Sequence, residues 1–254
     1  MSEILQHLEN GVLTLTFNRE ARKNSLNRAM YSQLAEIFRT TADDKQVRVA
    51  VLQGAENIFT AGNDIADFLE FPPTEMDAPV FQFMFAMAEF PKPIIAAVCG
   101  PAVGIGTTLL MHCEMVLAGD NAAFAMPFIN LGVCPENASS LLAPQIFGYQ
   151  RAAELLLLGE AFNADTALEI GLVNKILPPS EVNASAQTLA KKLAAKPLAS
   201  ILATKALLKK TQSALIHQVI TAEAQTFGKM LGEPAAKEAM SAFMEKRKPD
   251  FSQL

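Results

Sequence analysis

The segment Val12-Leu-Thr-Leu-Thr-Phe17 alternates apolar and polar residues with the two-residue period of a half-buried strand. Residues 27–41 change period: Met30, Leu34, Ile37 and Phe38 fall at helical spacing. Residues 47–52 and 94–98 are short, largely apolar runs, which predicts strands covered on both faces. A helix over 104–113 and another apolar run over 115–118 follow. This order predicts repeated β-to-α units around parallel sheets, an α/β core. Residues 68–79, Phe-Leu-Glu-Phe-Pro-Pro-Thr-Glu-Met-Asp-Ala-Pro, are acidic and proline-rich, and predict a loop leading into a helix over 80–89. That loop reads as a surface connector or as a mobile lid beside a binding turn. From Ser180 onward the pattern is helical, punctuated by Pro178-Pro179 and Lys196-Pro197, with Gly232-Glu-Pro234 opening the last helix. The expected organisation is a core over 1–195 and a helical region over 196–254.

Composition narrows the function classes. Half of the 254 residues are hydrophobic, enough for a sizeable core. A net charge of −5 argues against a nucleic-acid surface, which needs clustered positive charge. The exception, Lys246-Arg-Lys248, reads by itself as a solvated helix end. Cys99, Cys113 and Cys134 form no CxxC pair, which predicts reduced thiols and a cytoplasmic-type compartment. The first residues carry no basic and no apolar region, so no export signal is expected, and no apolar run is long enough to span a bilayer. Ser252-Gln253-Leu254 is loosely like a peroxisomal address but lacks its basic middle residue, so it reads as coincidence. His7, His112 and His217 have no metal-ligand spacing, and neither a metal nor a redox cofactor is expected. Met84, Met87, Met111, Met115 and Met126 read first as core filling and second as an acyl pocket.

The candidate chemistry lies between Phe59 and Glu136. Lys92-Pro-Ile-Ile-Ala-Ala-Val-Cys-Gly-Pro-Ala-Val-Gly-Ile-Gly106 is an apolar strand running into a glycine-rich turn and a helix. Phe59-Thr-Ala-Gly-Asn-Asp-Ile65 supplies a second glycine turn, and Phe124-Ala-Met-Pro-Phe-Ile-Asn-Leu-Gly-Val-Cys-Pro-Glu136 follows downstream. Glycine turns expose backbone N–H groups, and a helix start favours an anion. Alone, Gly104-Ile-Gly106 reads as a tight strand-to-helix turn; Leu109 stands where a dinucleotide fingerprint needs its third glycine. Glu136, taken alone, reads as a carboxylate at the start of the next helix.

Together these segments resemble the crotonase, or enoyl-CoA hydratase/isomerase, superfamily over essentially the whole chain. The resemblance implies a crotonase spiral of repeated β-β-α units with a C-terminal helical trimerisation region, and a homotrimer or dimer of trimers. It implies an acyl-CoA thioester as substrate, with the backbone N–H groups of Asn63 and Ile105 holding the thioester oxygen as it gains charge. Only their backbones are asked to act. Lys23, Ala61, Gly62, Asp64, Ile65 and Gly104 match positions along the CoA path. Phe243 and Lys246 match residues that reach a neighbouring subunit's CoA.

Where hydratases of that family carry two catalytic glutamates, this chain has Thr108 and Phe128. Neither can ionise to activate a water. Glu136 matches the base of delta-3,delta-2-enoyl-CoA isomerases of the peroxisomal type. A single carboxylate suffices to move a proton from C2 to C4. The expected activity is therefore 3-enoyl-CoA to trans-2-enoyl-CoA isomerisation, as in fatty-acid beta-oxidation. The alternatives are another crotonase reaction, such as isomerisation of a phenylacetate-derived CoA ester or weak hydration, and an acyl-CoA-binding relative without chemistry.

Overall fold

In the computed structural model, which describes residues 2–252, nine strands and eleven helices follow one another. The strands are β1 (Ile4–Glu9), β2 (Val12–Phe17), β3 (Val49–Gln53), β4 (Ile94–Val98), β5 (Pro101–Val103), β6 (Met115–Gly119), β7 (Ala123–Ala125), β8 (Phe162–Asn163) and β9 (Lys175–Leu177). The helices are α1 (Arg28–Ala42), α2 (Ile65–Glu70), α3 (Pro79–Glu89), α4 (Ile105–Thr108), α5 (Ser139–Phe147), α6 (Tyr149–Leu158), α7 (Ala164–Glu169), α8 (Pro179–Ala194), α9 (Leu198–Lys209), α10 (Ser213–Leu231) and α11 (Pro234–Met244).

A six-stranded sheet runs β1-β2-β3-β4-β6-β9. It is parallel except for β1, which pairs antiparallel with β2 through the left-handed Asn10-Gly11 turn. Both faces are covered. Leu13, Leu15, Ala50, Leu52, Ile94, Ala96 and Val98 point into the larger cluster, which α1, α3 and α10 complete. Val12, Val49, Val51, Ile95 and Ala97 point the other way, onto Val182, Ala186, Ala190 and Ala194 of α8, spaced four apart on one helical face. That double burial is why the strands read as apolar runs rather than alternations.

A second sheet, β5-β7-β8, carries the functional segments. β5 pairs parallel with β7, and its end leads directly into Gly104 and α4. The helices after residue 196 differ in how they attach. On α10, Ile216, Ile220, Ala224 and Phe227 enter the larger core cluster, as does Ala236 of α11. On α9 only Lys205 is buried, while Leu207 and Leu208 stand exposed.

Three local expectations need correction. The helix expected over 104–113 is one turn of α-helix, Ile105–Thr108, continued as a tighter 3-10 turn, Leu109–His112. The loop expected over 68–79 begins only after Glu70, because Asp64 caps α2 by accepting from the N–H groups of Ala66 and Asp67. Glu136 does not start the following helix; α5 opens at Ser139, after two left-handed residues, Asn137 and Ala138. The possible peroxisomal address falls on residues 252–254, of which 253 and 254 lie outside the described residues.

Candidate active site

The two glycine turns are laced to each other. Thr60 N–H donates to Pro101 O at 3.0 Å, and Val103 N–H donates to Thr60 O at 3.1 Å. Gly62 has φ +86°, and a Cβ there would lie 2.5 Å from Val103 O, so only glycine permits this approach. A third segment joins from the other side. Leu26 N–H donates to Gly62 O, Asp64 N–H donates to Leu26 O, and Ala61 N–H donates to Lys23 O. These bonds consume the backbone groups flanking Asn63. Among the described residues the N–H groups of Asn63 and Ile105 themselves have no internal acceptor. Two adjoining segments thus each hold one free, rigid backbone donor. With α4 only one turn long, their capacity for an anion comes from the free N–H groups rather than from a helix dipole.

Glu136 is buried, with 2% of its surface exposed. Thr108 Oγ1 donates to its Oε1 at 3.3 Å, and the Asn63 side chain lies near enough to favour the ionised carboxyl. Tyr31 O–H donates to Asn63 Oδ1 and so holds the Asn63 carboxamide in place. Asn63 therefore brings its side chain as well as its backbone to this site. Burial pushes the Glu136 carboxyl up to about 8, and the Glu223 carboxylate pushes in the same direction. The hydrogen bond from Thr108 and the nearby Asn63 side chain pull the other way. Tyr31 is raised well above its ordinary range by its burial, with the negative charge of Glu136 adding.

A cavity of about 780 Å³ opens beside this network. Its wall includes Lys23, Ala61, Gly62, Asn63, Asp64, Ile65, Gly104, Phe243 and Lys246. Glu136 and Ile105 are not on the wall; Asn63 and Gly104, their neighbours, are. Phe128, at one of the two positions that the family resemblance gives to a hydratase glutamate, also lines the cavity with its ring over Gly104. Phe243 and Lys246, expected to reach across to a neighbouring subunit, lie on this chain's own cavity. Met84, Met87, Met111, Met115 and Met126 are absent from the wall and fill core or half-buried positions instead.

Four cations line the cavity, and two are committed elsewhere. Arg22 pairs with Asp64, and Arg247 pairs with Glu238 and Glu245. Among the described residues, Lys23 and Lys246 have no carboxylate partner and remain for an anionic ligand. Asp64 itself is structural. Burial opposes its ionisation, but the bonds from Arg19 and the Asp67 N–H outweigh burial and hold it below the usual carboxylate range.

The remaining titratable groups are structural. Glu114 pairs with Lys205 and Lys209 and accepts from Ile94 N–H. His112 is buried with Nε2 2.8 Å from Asn137 O, and burial lowers its pKa to about 4. Sequence reading missed Glu223. It sits on α10, far along the chain, and no local motif marks it; the structure brings its carboxylate onto the N–H groups of Ala138 and Ser140.

Residues 7–254 match the family described as enoyl-CoA hydratase/isomerase. The chain belongs to the enoyl-CoA hydratase/isomerase, or crotonase, family. Among its relatives, 1,2-epoxyphenylacetyl-CoA isomerase of Escherichia coli (strain K12) is 34% identical over 261 residues, covering 99% of each protein. Enoyl-CoA delta isomerase 2 of Homo sapiens is 31% identical over 248 residues, which cover 94% of this chain and 63% of that protein. The solved structure of Pseudomonas aeruginosa OdaA superposes with a TM-score of 0.94 at 45% identity, covering 96% of this chain and 99% of that one. In this crotonase chain the glycine turns, the free N–H pair and the buried glutamate occupy one connected site.

Proposed function

We propose that this crotonase-family enzyme moves the double bond of a 3-enoyl-CoA to the trans-2 position, with Glu136 as the only acid–base group. The observation that carries the reading is the buried Glu136 carboxyl held by Thr108 Oγ1, with Thr108 and Phe128 at the positions where the family resemblance puts the hydratase glutamates. Ionised Glu136 takes a proton from C2 of the acyl chain. The electrons move onto the thioester oxygen as a dienolate, which accepts hydrogen bonds from the N–H groups of Asn63 and Ile105. The Glu136 carboxylic acid then returns the proton at C4, and the double bond ends between C2 and C3. A base with its pKa near the working pH can both take and return the proton. Preorganised backbone donors of this kind each contribute on the order of 10²–10³ in rate. Lys23 and Lys246 meet the CoA phosphates at the mouth of the cavity.

The relative named 1,2-epoxyphenylacetyl-CoA isomerase favours a second reading, isomerisation of a ring-bearing CoA ester through the same enolate site. A homotrimer or dimer of trimers is the expected assembly, which light scattering of the purified protein tests.

The deciding experiment follows 3-hexenoyl-CoA conversion beside crotonyl-CoA hydration, for wild type and Glu136→Gln. Isomerisation lost in the variant, with negligible hydration by either protein, is the expected result. Robust hydration, or isomerisation indifferent to Glu136, would overturn the assignment. Turnover of a 1,2-epoxyphenylacetyl-CoA type substrate in place of the linear one would favour the second reading.

A further inference from the structure

The chain just after the base takes an unfavourable path. Asn137 and Ala138 both have positive φ, 60° and 57°, and neither is glycine. Such a pair needs outside support, because left-handed backbone is disfavoured for residues other than glycine. Part of the support is local: Ser139 Oγ donates to Glu136 O at 2.6 Å, and Ser139 N–H to the same oxygen at 3.0 Å. The rest comes from α10. Glu223 accepts from Ala138 N–H at 2.6 Å, from Ser140 N–H at 2.9 Å and from the Ser140 hydroxyl. No side chain of the turn caps α5, so Glu223 serves its open end from 83 residues away in sequence.

Burial raises the Glu223 pKa above its ordinary value, while the three donors favour the ionised carboxylate and pull the other way. The other titratable groups facing Glu136 are Tyr31 from α1 and Cys134 on its own segment. Beyond the Asn137 carbonyl stand His112 and, behind it, Lys209. Among the described residues no lysine or arginine is paired with Glu136 or Glu223. The charge of Glu223 therefore acts on Glu136 without a local counter-ion.

We propose that Glu223 is a positioning residue for the reaction: its carboxylate clamps the 137–140 turn and so fixes Glu136 against Asn63 and Thr108. The same charge disfavours ionised Glu136, so the clamp adds to burial in raising the pH at which the base works. The proposal rests on Glu136 being the base.

The test compares wild type, Glu223→Gln and Glu223→Asp by the pH dependence of kcat/KM on 3-hexenoyl-CoA. Gln removes the charge and turns an amide N–H against a backbone N–H. It is expected to lower kcat about ten- to a hundredfold at unchanged KM. It also moves the acidic limb of kcat/KM to lower pH by about one unit. Asp keeps the charge but cannot reach both N–H groups, so kcat falls while the limb stays. An unmoved limb in Glu223→Gln, or undiminished kcat in Glu223→Asp, overturns the proposal. Should Glu223→Gln fail to fold, the kcat of Glu223→Asp decides alone. Full turnover by Glu136→Gln would instead sink the base assignment. The clamp would then be judged without turnover, by whether Glu223→Gln lowers the pH at which Glu136 titrates in unfolding experiments.

Discussion

Replacing Glu136 by Gln should stabilise this protein, and increasingly so as pH rises. The variant keeps the shape of the side chain and removes its titration. Wild-type Glu136 is held at about 8 against an ordinary 4.5, mainly by burial and then by the Glu223 charge. Between those pH values the unfolded chain has lost this proton and the folded chain has kept it. Folding then takes up a proton, and stability falls as pH rises. Below the lower value both states are protonated and wild type is at its best. Above the upper value both are ionised and the loss is complete. At ~1.4 kcal/mol per pH unit, wild type loses on the order of 3 kcal/mol relative to Glu136→Gln between about pH 5 and pH 7.5. Glu136 is 2% exposed, so solvent screening takes little from this figure. The assay is urea unfolding of both proteins at one protein concentration across that range. Titrating groups remote from Glu136 cancel in the difference. A difference that stays flat with pH would refute the claim that Glu136 is held protonated by its surroundings. A functional residue that costs stability is expected where the site stores an unfavourable charge for use.

Gly62→Ala should destabilise on the order of 3 kcal/mol and cut kcat sharply, because the new Cβ meets Val103 O at 2.5 Å in a left-handed backbone; unchanged urea midpoints would contradict this. Thr108→Val removes a donor that favours ionised Glu136, so the acidic limb of kcat/KM should move to higher pH, opposite in sign to Glu223→Gln; a downward shift would mean that Thr108 does not donate. Lys246→Ala should raise KM several-fold at low salt and much less at high salt, as expected for a cation at an open rim; a salt-independent effect would point to packing instead.

Much of the site was legible in local sequence because its parts are local. A glycine that must have positive φ, such as Gly62, announces itself wherever the chain turns against another segment. The free N–H of Ile105 follows from a helix start behind Gly104. The apolar runs of β3 and β4 reflect burial on both faces, which composition alone displays. The residue types at Thr108 and Phe128 were readable too, and neither side chain can ionise whatever surrounds it.

What the sequence left open depends on groups distant along the chain. Glu136 could have capped α5, as a carboxylate before a helix ordinarily does. Tertiary structure gave that task to Glu223 of α10 and freed Glu136 to face Thr108 and Asn63. Likewise the Asn63 side chain had no assigned partner in the sequence, and only the fold brought the Tyr31 hydroxyl of α1 onto its Oδ1. Lys23 and Lys246 became the cavity's uncommitted cations only because Asp64, Glu238 and Glu245 took the neighbouring arginines. Residue types and short spacings fixed which groups could carry the chemistry. Desolvation and the placement of like and opposite charges, which arise only on folding, decided the proton affinity of the carboxyl proposed as the base.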